Sequence, residues 1–81
     1  MTITVHFWSY FRDLTGIKSD QFEVPPGTHV GAFLDLVYGR HSALVPLRGS
    51  ALVAVGVEYA DSNQVLEPGS EVSLFPPVQG G

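Results

Sequence analysis

Cysteine is absent, cations are few, and no apolar run comes near the length of a membrane span. The missing cysteine excludes a disulfide framework, a thiolate nucleophile and a thiolate metal site, so any sulfur chemistry has to use sulfur brought from outside. Four Lys and Arg against eight Asp and Glu give a formal net charge of -4. That balance disfavours nucleic acid and anionic membranes as partners and suits a basic partner surface. A span needs roughly 20 apolar residues. Met1-Thr2-Ile3-Thr4-Val5 also lacks a charged leader followed by an apolar core, so the expected location is the cytoplasm.

What is present suffices for one small domain. The 81 residues are 44% hydrophobic, with five Phe, three Tyr and one Trp, enough to furnish a core and to argue against disorder. From Thr2 to Tyr10 the chain alternates, with Ile3, Val5 and Phe7 on one face and Thr4, His6, Trp8 and Tyr10 on the other; the period predicts a strand with one face on a core. Trp8 and Tyr10 occupy the face normally turned to water, so either a second layer or a partner covers them. Phe11 to Gly16 reads as a turn or loop closed by glycine, and Ser19 to Val24 as a second strand with Phe22 and Val24 inward, making a hairpin that ends at Pro25-Pro26-Gly27.

Thr28 is the expected helix cap, and Val30, Phe33, Leu34 and Val37 form the stripe of a helix lying on a sheet. Leu36 and Tyr38 widen the stripe, Asp35, Arg40 and His41 face water, and Gly39 marks a weak end. Ser42 to Ser50, with Pro46 and Gly49, reads as an irregular connection with Leu44 and Leu47 against the core. The apolar run Ala51 to Val57 predicts a strand in the middle of the sheet. Glu58 and Tyr59 begin a turn, Val65 to Gly69 holds a minor strand and a Pro-Gly turn, and Glu71 to Phe75 is the last strand, with Val72 and Leu74 inward. This order gives an α+β class: a mixed sheet of four to five strands with one main helix across one face, the order of a β-grasp, or ubiquitin-like, fold.

The last strand runs into Pro76-Pro77-Val78-Gln79-Gly80-Gly81. Two prolines stop a sheet and favour an extended segment, and two glycines finish it as a thin thread with a free carboxylate. Six residues reach roughly 20 Å when extended, enough to enter a partner's buried site. Residues 1–75 are therefore assigned to the folded domain and 76–81 to a flexible tail, although Pro25-Pro26 shows that a double proline alone marks only a strand stop. No nucleophile beside a base, phosphate-binding loop or acid/base carboxylate pair is recognisable. His6, His29 and His41 lack ligand spacing, so no metal site is expected and the domain alone is expected to catalyse nothing.

Phe75-Pro76-Pro77-Val78-Gln79-Gly80-Gly81 resembles the Phe-Pro-Pro-Val-x-Gly-Gly ending of the ubiquitin-like sulfur carriers, among them the small subunits of molybdopterin synthase. Leu66 to Val72 is similar to that family's leucine and Gly-Asp-Glu-Val turn, Pro25 to Val30 to its Gly-x-Thr-Val helix start, and Phe7 to Gly16 to its aromatic strand and Arg-Asp-Leu loop. Two residues depart from the pattern: Gly56 stands where many members have asparagine, and Ser70 where they have aspartate.

The resemblance implies that the first and last strands lie side by side, and that Gly81 is the reactive residue. An E1-like adenylating enzyme would activate its carboxylate with ATP and magnesium. A sulfur donor protein would then supply sulfur for a thiocarboxylate, which the large subunit of molybdopterin synthase would receive in a heterotetramer. Gly80 and Gly81 keep the thread narrow. Trp8, Phe75 and Tyr59 are expected to form a docking patch at its root, with Arg12 facing a partner carboxylate and Pro76, Pro77 and Val78 completing the contact. Two alternatives stand beside this one: a carrier for thiamin thiazole, tRNA thiolation or another thio-product, and a β-grasp interaction module with an inert tail.

Overall fold

A computed structural model of the chain describes residues 1–77. Five strands form one mixed sheet in the order β2-β1-β5-β3-β4. They are β1 (Thr2–Phe7), β2 (Ser19–Glu23), β3 (Leu52–Val55), β4 (Glu58–Tyr59) and β5 (Glu71–Phe75). Helix α1 (Tyr10–Thr15) joins the first two strands, and α2 (Val30–Arg40) is followed by a 3-10 segment, Ser42–Ser50. The β1–β2 pair is antiparallel, as the hairpin reading requires, while β1 and β5 are parallel neighbours.

Alternation decides which side chains enter the core. Ile3, Val5 and Phe7 of β1 and Val72 and Leu74 of β5 meet Val30, Phe33, Leu34, Val37 and Tyr38 of α2, with Phe11, Phe22, Val24, Leu44 and Leu66 completing a single buried cluster. Fully burying side chains of this size stabilises by roughly 1.5–3 kcal/mol each before chain entropy is counted. Leu36, expected to widen the helix stripe, is exposed instead.

Several expectations need correction. The first strand ends at Phe7, Ser9 takes a φ of 58°, and Tyr10 opens α1, so Trp8 and Tyr10 share no strand face. Phe11 to Thr15 is thus helical, and Gly16 (φ 78°) is its left-handed cap, with its amide on the Arg12 carbonyl. A six-residue helix with one buried apolar residue, Phe11, has no stripe to read. At α2 the cap is His29, whose Nδ1 accepts from the Ala32 amide at 3.4 Å. The Thr28 hydroxyl donates to the Pro25 carbonyl instead. The next amides, Val30 and Gly31, are taken by carbonyls of Gln64 and Ser62, a loop far along the chain.

The centre of the sheet is β5, and β3 lies second from an edge. Its apolar run reflects two covered faces: Val53 and Val55 pack against the core, while Leu52 and Ala54 share the opposite face with Phe75 and Tyr59. Glu58 and Tyr59 are a short strand, and Val65 makes only an isolated bridge to His29. His41 does not face water. Its ring meets Phe7 edge-on at 5.0 Å and its Nε2 lies 2.8 Å from Asp20 Oδ2, because the end of α2 passes over β1 and β2. Arg40 also bonds Asp20 and lies 3.9 Å above the Phe22 ring.

Candidate functional site: the root of the tail

The parallel pairing of β1 and β5 puts Phe7 opposite Leu74, so both strands reach the same end of the sheet together. The Trp8 amide donates to the Leu74 carbonyl at 3.1 Å, extending the ladder by one bond. Trp8 and Phe75 then emerge side by side on the face opposite α2. Their rings stack at 5.8 Å between centroids and 13° between planes, an arrangement worth about 0.5–1.5 kcal/mol beyond burial. Strand structure stops at Phe75, and Pro76 and Pro77 follow, half-buried.

On the far side of Phe75, antiparallel pairing sets Leu52 opposite it and Tyr59 opposite Ala54. Ala54, Gly56, Val57, Tyr59 and Phe75 line a shallow hollow of about 200 Å³. Trp8 is 49% exposed, Tyr59 73% and Val57 98%. Continuous apolar surface of this kind is uncommon on a small domain and usually meets a partner. Phe75 thus stacks on Trp8 and shares a hollow with Tyr59, the grouping expected from sequence, and Val57, which the sequence analysis did not single out, borders the same hollow. The available signal was an apolar residue directly after a turn glycine, where polar residues predominate.

On the near side of Trp8, a second hollow of about 150 Å³ is bordered by His6, Phe7, Trp8, Arg12 and Lys18. The structure thus sets Arg12 beside Trp8, on α1, and adds Lys18, which sequence reading did not single out. One step along the same face His6 Nε2 lies 2.7 Å from Glu71 Oε1. Val78, Gly80 and Gly81, the remaining residues expected to act, lie outside the described residues.

The two departures from the carrier pattern are conformationally mild. Gly56 has a φ of 62°, the left-handed region that asparagine tolerates better than other side-chain-bearing residues. The Ser70 hydroxyl accepts from the Glu67 amide at 3.0 Å, a bond that an aspartate carboxylate is equally able to accept. Both turns therefore keep the shape that delivers β5 to the centre of the sheet.

A larger cleft of about 380 Å³ runs between α2 and the β3–β4 hairpin, bordered by Val30, Leu34, Tyr38, Arg48 and Val53 among others; Phe75 to Pro77 do not line it. Burial pushes the Tyr38 hydroxyl up, and the positive charge of Arg48 opposes that shift. Among the described residues no helix is long and apolar enough to cross a membrane.

Known proteins resemble this chain in fold and sequence. The chain is 29% identical, over the full length of both chains, to the molybdopterin synthase sulfur carrier subunit of Chlamydomonas reinhardtii. It is also 29% identical to the protein of the same name from Homo sapiens, covering 98% of this chain and 93% of that one. The crystal structure of SAMP1 from Haloferax volcanii superimposes with a TM-score of 0.88 at 26% identity, covering all of both chains. The family model described as the ThiS family matches residues 5–81, and the chain belongs to that family.

Proposed function

We propose that this protein is a sulfur carrier, the small subunit of a molybdopterin synthase. The observation that carries the reading is the exposed Trp8–Phe75 stack at the point where β5 gives way to Pro76-Pro77 and a Gly-Gly ending. The names borne by the two full-length relatives support it.

The chemistry follows from the terminal carboxylate. A terminal carboxyl group ordinarily ionises well below neutral pH, so at cellular pH it is an anion that a sulfur nucleophile cannot attack productively. Activation is therefore required. An E1-like adenylating enzyme, with ATP and magnesium, lets the Gly81 carboxylate attack the α-phosphorus and release pyrophosphate. Sulfur at the sulfide level, delivered by a donor protein, then attacks the acyl carbon and expels AMP, leaving a thiocarboxylate. The large subunit admits this end and sulfur passes to the pterin precursor as the dithiolene is built. No side chain of this chain needs to act as acid, base or nucleophile.

Each expected site residue then has a physical task. Trp8, Tyr59, Phe75 and Val57 dock the partner, since aromatic residues in a contiguous exposed patch anchor interfaces. Pro76, Pro77 and Val78 space the reactive end from the dock, and Gly80 and Gly81 fit a channel that a β-carbon would obstruct. The stoichiometry proposed is two small and two large subunits.

The test is intact-mass analysis after incubation with the activating enzyme, ATP and a sulfur source. The mass is expected to rise by the difference between sulfur and oxygen, and an unchanged mass with active enzyme rejects the carrier reading. A second reading, a carrier serving another thio-product, has the family model itself in its favour. Co-purification with a molybdopterin synthase large subunit supports the first reading, and exclusive co-purification with a different sulfur acceptor supports the second.

A further inference from the structure

We propose that the notch bordered by Trp8, Arg12 and Lys18 receives a carboxylate side chain of the activating enzyme that docks on the aromatic face. The inference rests on the carrier reading above and deepens it by naming the chemistry of the partner's surface.

The chain has four Lys and Arg. Arg40 is bonded to Asp20 at 3.0 Å, and Arg48 is bonded to Asp35 and lies over the Tyr38 ring. Arg12 and Lys18 make no ion pair among the described residues, yet Arg12 on α1 and Lys18 in the loop before β2 border the same hollow of about 150 Å³. A protein with a net charge of -4 thus gathers, beside the ring that begins the aromatic patch, the two side-chain cations that make no ion pair among the described residues. The local sign is opposite to the global one, so an acidic group is attracted here even though the whole molecule favours a basic surface.

The remaining lining selects among anions. Polyphosphate sites depend on converging backbone amides. Here the Phe7 amide is committed to the Lys18 carbonyl at 2.8 Å and the Trp8 amide to the Leu74 carbonyl at 3.1 Å. His6 is engaged with Glu71. What is offered is two side-chain cations against apolar ring surface, a match for one carboxylate on an apolar stem. The planar guanidinium of Arg12 suits two-point bonding to such a carboxylate, and Lys18 supplies a second charge.

The experiment measures binding of the intact chain to the activating enzyme across a salt series. Arg12→Gln with Lys18→Gln is expected to weaken binding about tenfold at physiological ionic strength and to flatten its salt dependence. Arg12→Lys with Lys18→Arg, which keeps both charges but moves the two-point donor, is expected to lose less affinity than the double glutamine variant and to keep the wild-type salt dependence. Ser42→Glu with Gln64→Glu changes net charge equally at exposed positions outside the patch and is expected to leave binding unchanged.

Wild-type affinity in the double glutamine variant overturns the proposal, as does an equal loss in the Ser42/Gln64 control. Unchanged affinity with a raised KM for ATP assigns the notch to nucleotide phosphate and also overturns it. If Trp8→Ser with Phe75→Ser abolishes binding while the double glutamine variant does not, the notch fails and the carrier reading stands. No mass gain in the wild type removes both.

Discussion

In the proposed carrier reading Gly81 acts through its main chain, so the smallest change there is the most informative. Gly81→Ala adds only a methyl group, and on the proposed function it is expected to abolish the gain in mass while circular dichroism and melting temperature stay unchanged. Asp20 is a contrasting case, structural in role and sensitive to pH. Burial alone would raise its carboxyl. Hydrogen bonds from His41, Arg40 and the Gln21 amide, with the charge of Arg40, outweigh burial and hold it below the ordinary value of 3.8. Its contribution is therefore present above the unfolded value and lost as pH falls through the lower folded one. Asp20→Asn is expected to cost about 1–2 kcal/mol at neutral pH, from weakened charge-assisted bonds. Urea titrations should show this difference shrinking below about pH 4. At Gly56, asparagine is expected to change stability by less than about 0.5 kcal/mol and valine to cost about 1–2 kcal/mol, because only the β-branched residue is strongly strained at positive φ.

The elements best read from sequence are those with a clear period. Ile3, Val5 and Phe7 alternate, Val30, Phe33, Leu34 and Val37 recur at helical spacing, and Val72 and Leu74 alternate; all are buried. Their side chains decide their own element. What was not legible depends on partners distant in the chain. The cap of α2 is completed by carbonyls of Ser62 and Gln64, and His41 is drawn inward by Phe7 and Asp20. Helix α1 is too short to show a stripe. The continuous apolar run of β3 suggested a central strand because the pattern reports apolar neighbours on both faces, and here those on one face are Phe75 and Tyr59. The parallel placement of β5 beside β1 came from the family resemblance, since no local pattern distinguishes it. Because β5 is central and Leu74 fully buried, Leu74→Ala is expected to destabilise by about 2–5 kcal/mol, measured by denaturant unfolding. That is a large share of the roughly 5–15 kcal/mol available to a small domain.

At the scale of the molecule, the sheet has one face committed to the core and an aromatic pair at one end. The same register that buries Phe7 and Leu74 brings out Trp8 and Phe75, so core and aromatic patch follow from one alternation. Replacing Trp8 and Phe75 together by serine is expected to weaken binding of the activating enzyme and of the large subunit by more than about tenfold. The cost in stability is smaller, because these side chains lie outside the buried cluster. Wild-type affinity for both enzymes in that variant would remove the patch from the mechanism.

The most direct measurement remains the intact mass of the chain after incubation with its activating enzyme, ATP and a sulfur source. A gain equal to sulfur minus oxygen, located on the terminal glycine by fragmentation and absent without ATP, is the expected result. An unchanged mass, with the enzyme shown to be active on another substrate, would contradict the assignment of this domain as a sulfur carrier.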